Sequence, residues 1–201
     1  MIQLEGQKIA VFDLEIKKPI ESLTDGWRSH NEMGVSCLVL FDYEAMRYRV
    51  FDDQNIAEAI AILWTYDWVV GFNTVGFDWK VVKATYPNDI PMSPRQSRDF
   101  DILREIWKSL GVDPDNFKPA THGGYKLDDV AFDTVMMRKT GNGAEAPLLF
   151  EKGRWAELLD YCIEDVRIER TLFEFVVRHG YCIRNGRVIN VTFNPHQKEK
   201  V

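Results

Sequence analysis

Short apolar runs alternate with stretches of helical periodicity in the first half of the chain. Runs of strand length occur at Lys8–Phe12, Gly34–Phe41 and Arg47–Phe51, and the short link between the last two predicts a hairpin. Residues 55–66 carry apolar side chains at helical spacing, and the strand-like run Trp68–Phe72 follows them. A succession of strand, helix and strand favours a right-handed crossover, which places the two strands in parallel.

The second half of the chain is mainly helical in its pattern. The elements predicted there are a helix over 77–86, a strand over 97–101, a helix ending at 110–111, a helix over 126–137 and a long helical region over 154–179. Asn185-Gly186 lies between two strand-like segments and is a strong two-residue hairpin signal. The pattern predicts an α/β domain over residues 1–180, with a mixed five-stranded sheet flanked by helices, and a C-terminal β-hairpin appendage with its tail over 181–201.

Acidic residues interrupt three of these apolar segments. They are Asp13 and Glu15 in 11–16, Asp78 in 71–78, and Asp165 in 161–165. An ionised carboxylate that is buried without a partner costs several kcal/mol or becomes neutral through a raised pKa. Several such acids at one place need a shared cation, and oxygen-only ligands favour Mg²⁺ or Mn²⁺.

The spacing of these residues allows them to meet. Asp13 and Glu15 are two apart on a predicted strand and therefore share one face of the sheet. Tyr161 and Asp165 are four apart on a predicted helix and share one helix face. Asp78 lies in the first turn of its predicted helix, where the helix dipole favours an anion. Two metal ions about 3.5–4 Å apart would stabilise both reacting oxygens of a phosphodiester.

The order D-x-E, then N-x3-F-D, then Y-x3-D resembles the tyrosine subtype (DEDDy) of the DEDD superfamily of 3′–5′ exonucleases, over about residues 8–180. The sequence around these motifs looks closest to stand-alone exonuclease domains related to the proofreading domain of family B DNA polymerases. The resemblance implies a ribonuclease H-like three-layer fold. It also implies a two-metal-ion exonuclease that releases nucleoside 5′-monophosphates from 3′ ends of single-stranded or frayed DNA.

The same resemblance implies a role for each motif residue. Asp13 would bridge two Mg²⁺ or Mn²⁺ ions, and Glu15 and Asp165 would bind the ion that activates water. Asp78 would act on the second ion, directly or through water. Tyr161 would orient the attacking water through a hydrogen bond.

Candidate substrate contacts flank these motifs. Asn73 and Phe77 are placed to contact the terminal sugar and base, and Leu14 to offer main chain and a wedge near the 3′ end. Lys126 is a candidate phosphate ligand, and Trp27 a candidate for base stacking.

The remaining polar residues suggest structural roles. Asp99 and Asp101 are expected to cap the helix that follows them. The chain has three widely spaced cysteines, which predict reduced and mostly buried thiols, and its histidines match no metal-ligand spacing. The formal charge of −6 argues against a broad basic groove and favours a narrow cleft for a few nucleotides.

Other functions stay open at this level. An exoribonuclease, a resolvase-type endonuclease and an inactive module that binds nucleic acid or a partner protein share the expected fold. A polymerase or a helicase is left open as a protein partner. The sequence has no apolar run of membrane-spanning length and no signal-peptide pattern, so no membrane partner and a cytoplasmic location are expected.

Overall fold

A computed structural model describes residues 6–90, 98–117, 119–141 and 143–196. The strands are β1 (Ile9–Ile16), β2 (Val35–Asp42), β3 (Arg47–Asp52), β4 (Trp68–Gly71), β5 (Arg98–Asp101), β6 (Tyr181–Arg184) and β7 (Arg187–Asn190). The α-helices are α1 (His30–Met33), α2 (Ile56–Leu63), α3 (Asp78–Thr85), α4 (Ile102–Ser109), α5 (Leu127–Val135), α6 (Ala146–Glu151) and α7 (Trp155–His179). Short 3-10 segments lie at Ile20–Ser22, Gly26–Arg28 and Ala120–Gly124.

The main sheet is mixed and five-stranded, in the order β3-β2-β1-β4-β5. β1 pairs antiparallel with β2 and parallel with β4, and β4 pairs parallel with β5. Val11 lies opposite Val70, and Gly71 lies opposite Asp101. The carboxyl ends of the three parallel strands therefore meet at one edge of the sheet, where ligands bind in open α/β folds.

Helices cover both faces of the sheet. Val11 of β1 belongs to a buried cluster that includes the inner face of α7. Phe12 points to the opposite face, into a cluster with residues of α2 and α3, and its ring lies 4.9 Å from that of Trp79. This alternation along β1 follows from the period of two of a strand. It creates the three-layer arrangement that the resemblance implies, so the expected fold class is confirmed.

The observed elements differ from the predicted ones at several ends. β1 continues to Ile16, although its apolar run ends at Phe12, because Asp13 and Glu15 still pair with β2. Short helices α1 and α6 were not predicted. Ser97, the predicted start of the fifth strand, lies outside the described residues. No helix in the described part of the chain is long and apolar enough to cross a membrane.

The C-terminal hairpin forms as predicted. Asn185 and Gly186 both have positive φ, 52° and 71°, as a type I′ turn requires. Ile189 and Phe193 are buried in the cluster that α7 covers. The described residues after α7 therefore pack on the same face of the main sheet as α7. Residues 197–201 of the predicted tail lie outside the described residues.

Candidate active site

The end of β1 places Asp13 and Glu15 against α7. One carboxylate oxygen of each and the Cys162 sulfur lie within 4.8 Å of one another. Cys162 Sγ is 3.6 Å from the Asp13 carbonyl oxygen, so the helix packs directly on this part of the strand. Glu15 is buried, whereas Asp13 keeps some solvent exposure. The strand period thus delivers two acids to the interface between sheet and helix.

Helix α7 brings Tyr161 and Asp165 to the same place. Both are buried, with 8% and 2% of their surface exposed. The Asp165 charge raises the pKa of both Asp13 and Glu15, after the larger effect of burial. Burial raises the pKa of Asp165, and the nearby Lys139 ammonium group and Tyr161 hydroxyl oppose this rise. The buried Tyr161 hydroxyl has no hydrogen-bond partner among the described residues.

Asp78 reaches the cluster from the first turn of α3. It is 3% exposed, and its Oδ1 atom has no hydrogen-bond partner among the described residues. Burial raises the pKa of Asp78 well above its usual value, and the Asp13 carboxylate adds to the rise. The carboxylates of β1, α3 and α7 therefore lie close enough to interact electrostatically.

Burial and mutual repulsion disfavour full ionisation of this cluster. They raise the pKa of Asp13 to about 7, and they raise the pKa of Glu15 well above its ordinary value. Each acid would regain its charge if a cation lay between them, since an opposite charge within a few ångströms favours the ionised form.

The donor set fits a hard divalent cation. Buried oxygens without a hydrogen-bond partner in the described residues include Oδ1 of Asp78 and Oδ1 of Asp165. Orphaned polar atoms of this kind mark places where an ion or water belongs. Burial raises the pKa of the Cys162 thiol, which keeps its sulfur protonated. Carboxylate oxygens without a thiolate suit Mg²⁺ or Mn²⁺ better than a soft metal.

Lys139 belongs to the site and was not identified from the sequence. Its ammonium group forms an ion pair with Asp165 and lies 5.7 Å from the centre of the Tyr161 ring. Burial by itself would lower the pKa of Lys139, but the charges of Asp165 and Asp13 raise it, so the side chain stays positive. A Cβ atom at Gly141 would lie 3.1 Å from the Tyr161 ring, so glycine lets this segment approach the tyrosine.

A tight turn after β4 carries Asp78 into the site. Asn73 in this turn has φ 67°, and its backbone N–H donates to Asp101 at 2.9 Å. Val75 donates to the other Asp101 oxygen at 3.0 Å. Asp101 also accepts from the first turn of α4, so its predicted capping role is confirmed. The prediction for Asp99 is wrong, because its carboxylate accepts a hydrogen bond from the Trp79 indole instead of capping the helix.

A further acid, Glu169, lies one turn beyond Asp165 on α7. It is 2% exposed, and its Oε1 atom accepts a hydrogen bond from the Phe72 backbone N–H at 3.2 Å. Burial raises the pKa of Glu169 well above its usual value, and the charges of Asp13, Asp78 and Asp165 raise it further. The spacing of four from Asp165 was the available signal in the sequence, but the Y-x3-D motif ends before it.

The predicted substrate contacts occupy different surroundings. Leu14 is 3% exposed and its side chain packs in the core, which leaves its main chain beside the acids. The Asn73 amide lies 3.4 Å from Nε2 of His122. The Phe77 ring makes an edge contact with the exposed Trp27, at 5.7 Å between centroids. Lys126 directly precedes α5.

The family model of the RNase_H superfamily matches residues 24–177. This range begins after Asp13 and Glu15 and includes Asp78, Tyr161 and Asp165. No curated protein sequence matches this chain.

Among solved structures, the fold is similar to that of the family B DNA polymerase from the hyperthermophilic archaeon Pyrobaculum calidifontis. The TM-score is 0.62 at 19% sequence identity, and the alignment covers 85% of this chain but 24% of the polymerase chain. This protein therefore spans about a quarter of the polymerase's length. Together with the family match, the likeness confirms the predicted ribonuclease H-like fold. The chain belongs to the RNase_H superfamily.

Proposed function

We propose that this protein is a two-metal-ion 3′–5′ exonuclease of the tyrosine subtype, which releases nucleoside 5′-monophosphates from single-stranded or frayed DNA. The observation that carries the proposal is one cluster of interacting carboxylates, formed by Asp13, Glu15, Asp78 and Asp165. Asp78 and Asp165 each have a buried oxygen without a hydrogen-bond partner among the described residues. Two Mg²⁺ or Mn²⁺ ions, when bound, would neutralise charge on the reacting oxygens and lower the pKa of water.

The positions of the acids support different roles for them in metal binding. Asp13 interacts with Glu15, Asp78 and Asp165, which suits a bridging ligand. Glu15 and Asp165 would hold one ion, and Asp78 would serve the other. Burial raises the pKa of Tyr161 above its usual value, so the phenol stays neutral and orients water without taking its proton.

Lys139 balances the charge of the cluster in the absence of metal. Burial raises the pKa of Asp165, and the ion pair with Lys139 opposes this rise. The amine lies beside Asp165 and the Tyr161 ring, and its positive charge would favour an anionic transition state formed next to them.

The surroundings of the cluster support a narrow site for a 3′ end. Phe77 and the exposed Trp27 form an aromatic pair next to Asp78, and bases of any sequence stack on such rings. Asn73 and the main chain of Leu14 would contact the terminal nucleotide. Lys126 would hold a neighbouring phosphate. DNA is favoured over RNA by the resemblance to polymerase proofreading domains.

Degradation of end-labelled oligonucleotides tests the proposal. With Mg²⁺ or Mn²⁺, a 5′-labelled single strand of DNA should shorten stepwise from its 3′ end, whereas EDTA should stop the reaction and Ca²⁺ should support little of it. A circular single strand is the matched control, and its cleavage would indicate an endonuclease. Full activity in excess EDTA would contradict the two-metal assignment.

The same assay distinguishes the exonuclease from two alternative functions. Faster shortening of an RNA oligonucleotide of identical sequence would make the protein an exoribonuclease. Binding of both strands without hydrolysis in any metal would indicate an inactive binding module.

A further inference from the structure

Glu169 is a buried acid for which the four-carboxylate mechanism has no role. We propose that it is a positioning residue of the active site, which holds the turn after β4 so that Asp78 faces Asp13. This inference rests on the proposed nuclease function for its consequence in catalysis. The contact between α7 and the turn is present whether or not the protein is a nuclease.

The contact joins two elements that carry different ligands of the candidate metal site. Oε1 of Glu169 accepts the Phe72 N–H at 3.2 Å, one turn of α7 after Asp165. Asp78 follows Phe72 by six residues, at the start of α3. The hydrogen bond therefore ties the helix that carries Asp165 to the turn that delivers Asp78.

The end of β4 packs closely beside the hydrogen bond between Glu169 and Phe72. A Cβ atom at Gly71, the last residue of β4, would lie 2.9 Å from the Phe12 carbonyl oxygen and 3.4 Å from Oε2 of Glu169, so glycine lets the end of β4 lie close to β1 and beside Glu169. Asp101 holds the next part of the turn through the N–H groups of Asn73 and Val75. Glu169 and Asp101 thus hold consecutive residues of one turn from two directions.

The hydrogen bond to Phe72 does not require a charged acceptor. Glu169 is 2% exposed, its Oε2 atom has no hydrogen-bond partner among the described residues, and three carboxylates act on it. A buried acid in this field destabilises the fold, whereas a glutamine would accept the same hydrogen bond without a charge. The role proposed for Glu169 is therefore the hydrogen bond to Phe72, which ties α7 to the turn beside the metal ligands.

Two substitutions separate the hydrogen bond from the shape of the side chain. Glu169→Gln keeps an acceptor for Phe72, and Glu169→Leu removes it while filling similar space. Glu174→Leu is the matched control, because Glu174 lies on the same helix and accepts from Arg170 and Tyr43, not from the site. Glu169→Met replaces the leucine variant if that variant does not fold, since methionine adapts to irregular space.

Three readouts test the proposal: hydrogen exchange of the Phe72 amide by NMR, Mn²⁺ binding by calorimetry without nucleic acid, and steady-state kinetics. Glu169→Leu should speed Phe72 exchange, weaken Mn²⁺ binding about 10- to 100-fold and lower kcat by a similar factor, with little change in KM. Glu169→Gln should restore all three to within about threefold of wild type, and the control should match wild type.

Two results would overturn the inference. One is unchanged Phe72 exchange and Mn²⁺ affinity in the leucine or methionine variant. The other is a glutamine variant as defective as the leucine variant, since it retains the hydrogen bond. If the nuclease proposal fails instead, the wild-type protein will bind Mn²⁺ but hydrolyse no nucleic acid. The exchange rate of the Phe72 amide and the Mn²⁺ affinity would then still test the role of Glu169.

Discussion

Substitution of Asp13 by asparagine should stabilise the metal-free protein at neutral pH and abolish its activity. Burial and Asp165 raise the pKa of Asp13 from 3.8 to about 7. One pKa unit corresponds to about 1.4 kcal/mol, so ionised Asp13 disfavours the folded state by at most about 4 kcal/mol. Asp13 keeps some solvent exposure, and we therefore expect a gain of about 2–4 kcal/mol for Asp13→Asn at pH 8.

The sign of the pH dependence follows from proton binding. Between pH 3.8 and about 7 the folded state binds the Asp13 proton more tightly than the unfolded state does. Stability from this group is therefore fully present below pH 3.8 and is lost as the pH rises to about 7. The difference in the free energy of unfolding between Asp13→Asn and wild type should therefore grow over this pH window and stay constant above it.

Urea unfolding in EDTA at pH 4, 5, 6, 7 and 8 measures this difference. Asp115→Asn is the control, because Asp115 is an exposed acid paired with Arg104, and its effect should stay below about 1 kcal/mol at every pH. Mn²⁺ should remove the advantage of Asp13→Asn by stabilising wild type more than the variant. A pH-independent difference, or a variant less stable than wild type at pH 8, would refute the argument.

The remaining predictions concern the other site residues. Asp165→Ala should lower turnover by several orders of magnitude while the protein stays folded, as circular dichroism would verify; an unfolded variant would make Asp165 a scaffold residue. Tyr161→Phe removes one hydrogen bond and should lower kcat roughly 10- to 1000-fold with nearly unchanged substrate affinity, and wild-type kinetics would exclude its role in orienting water. Lys139→Met leaves Asp165 without its partner and should destabilise the metal-free protein by about 2 kcal/mol. Mn²⁺ should raise the melting temperature of this variant more than that of wild type, because the metal replaces the lost positive charge. An equal rise in both proteins would contradict charge compensation by Lys139.

Local patterns in the sequence determined much of the site. The period of two places Asp13 and Glu15 on one face of β1, and the period of 3.6 places Tyr161 and Asp165 on one face of α7. The hairpin at Asn185-Gly186 follows from the residues that tolerate positive φ. These features depend on neighbours in the chain, so sequence alone is sufficient to predict them.

The tertiary structure decided which other groups join the acids. Lys139 pairs with Asp165 across 26 residues, and Glu169 accepts from Phe72 across 97 residues. Asp101 looked like an ordinary helix cap, but parallel pairing of β4 with β5 also sets it against the turn after Gly71. No local periodicity encodes such contacts. They arise because the sheet order brings the ends of β1, β4 and β5 together under α7, and only that arrangement makes a lysine and two further acids part of the same site.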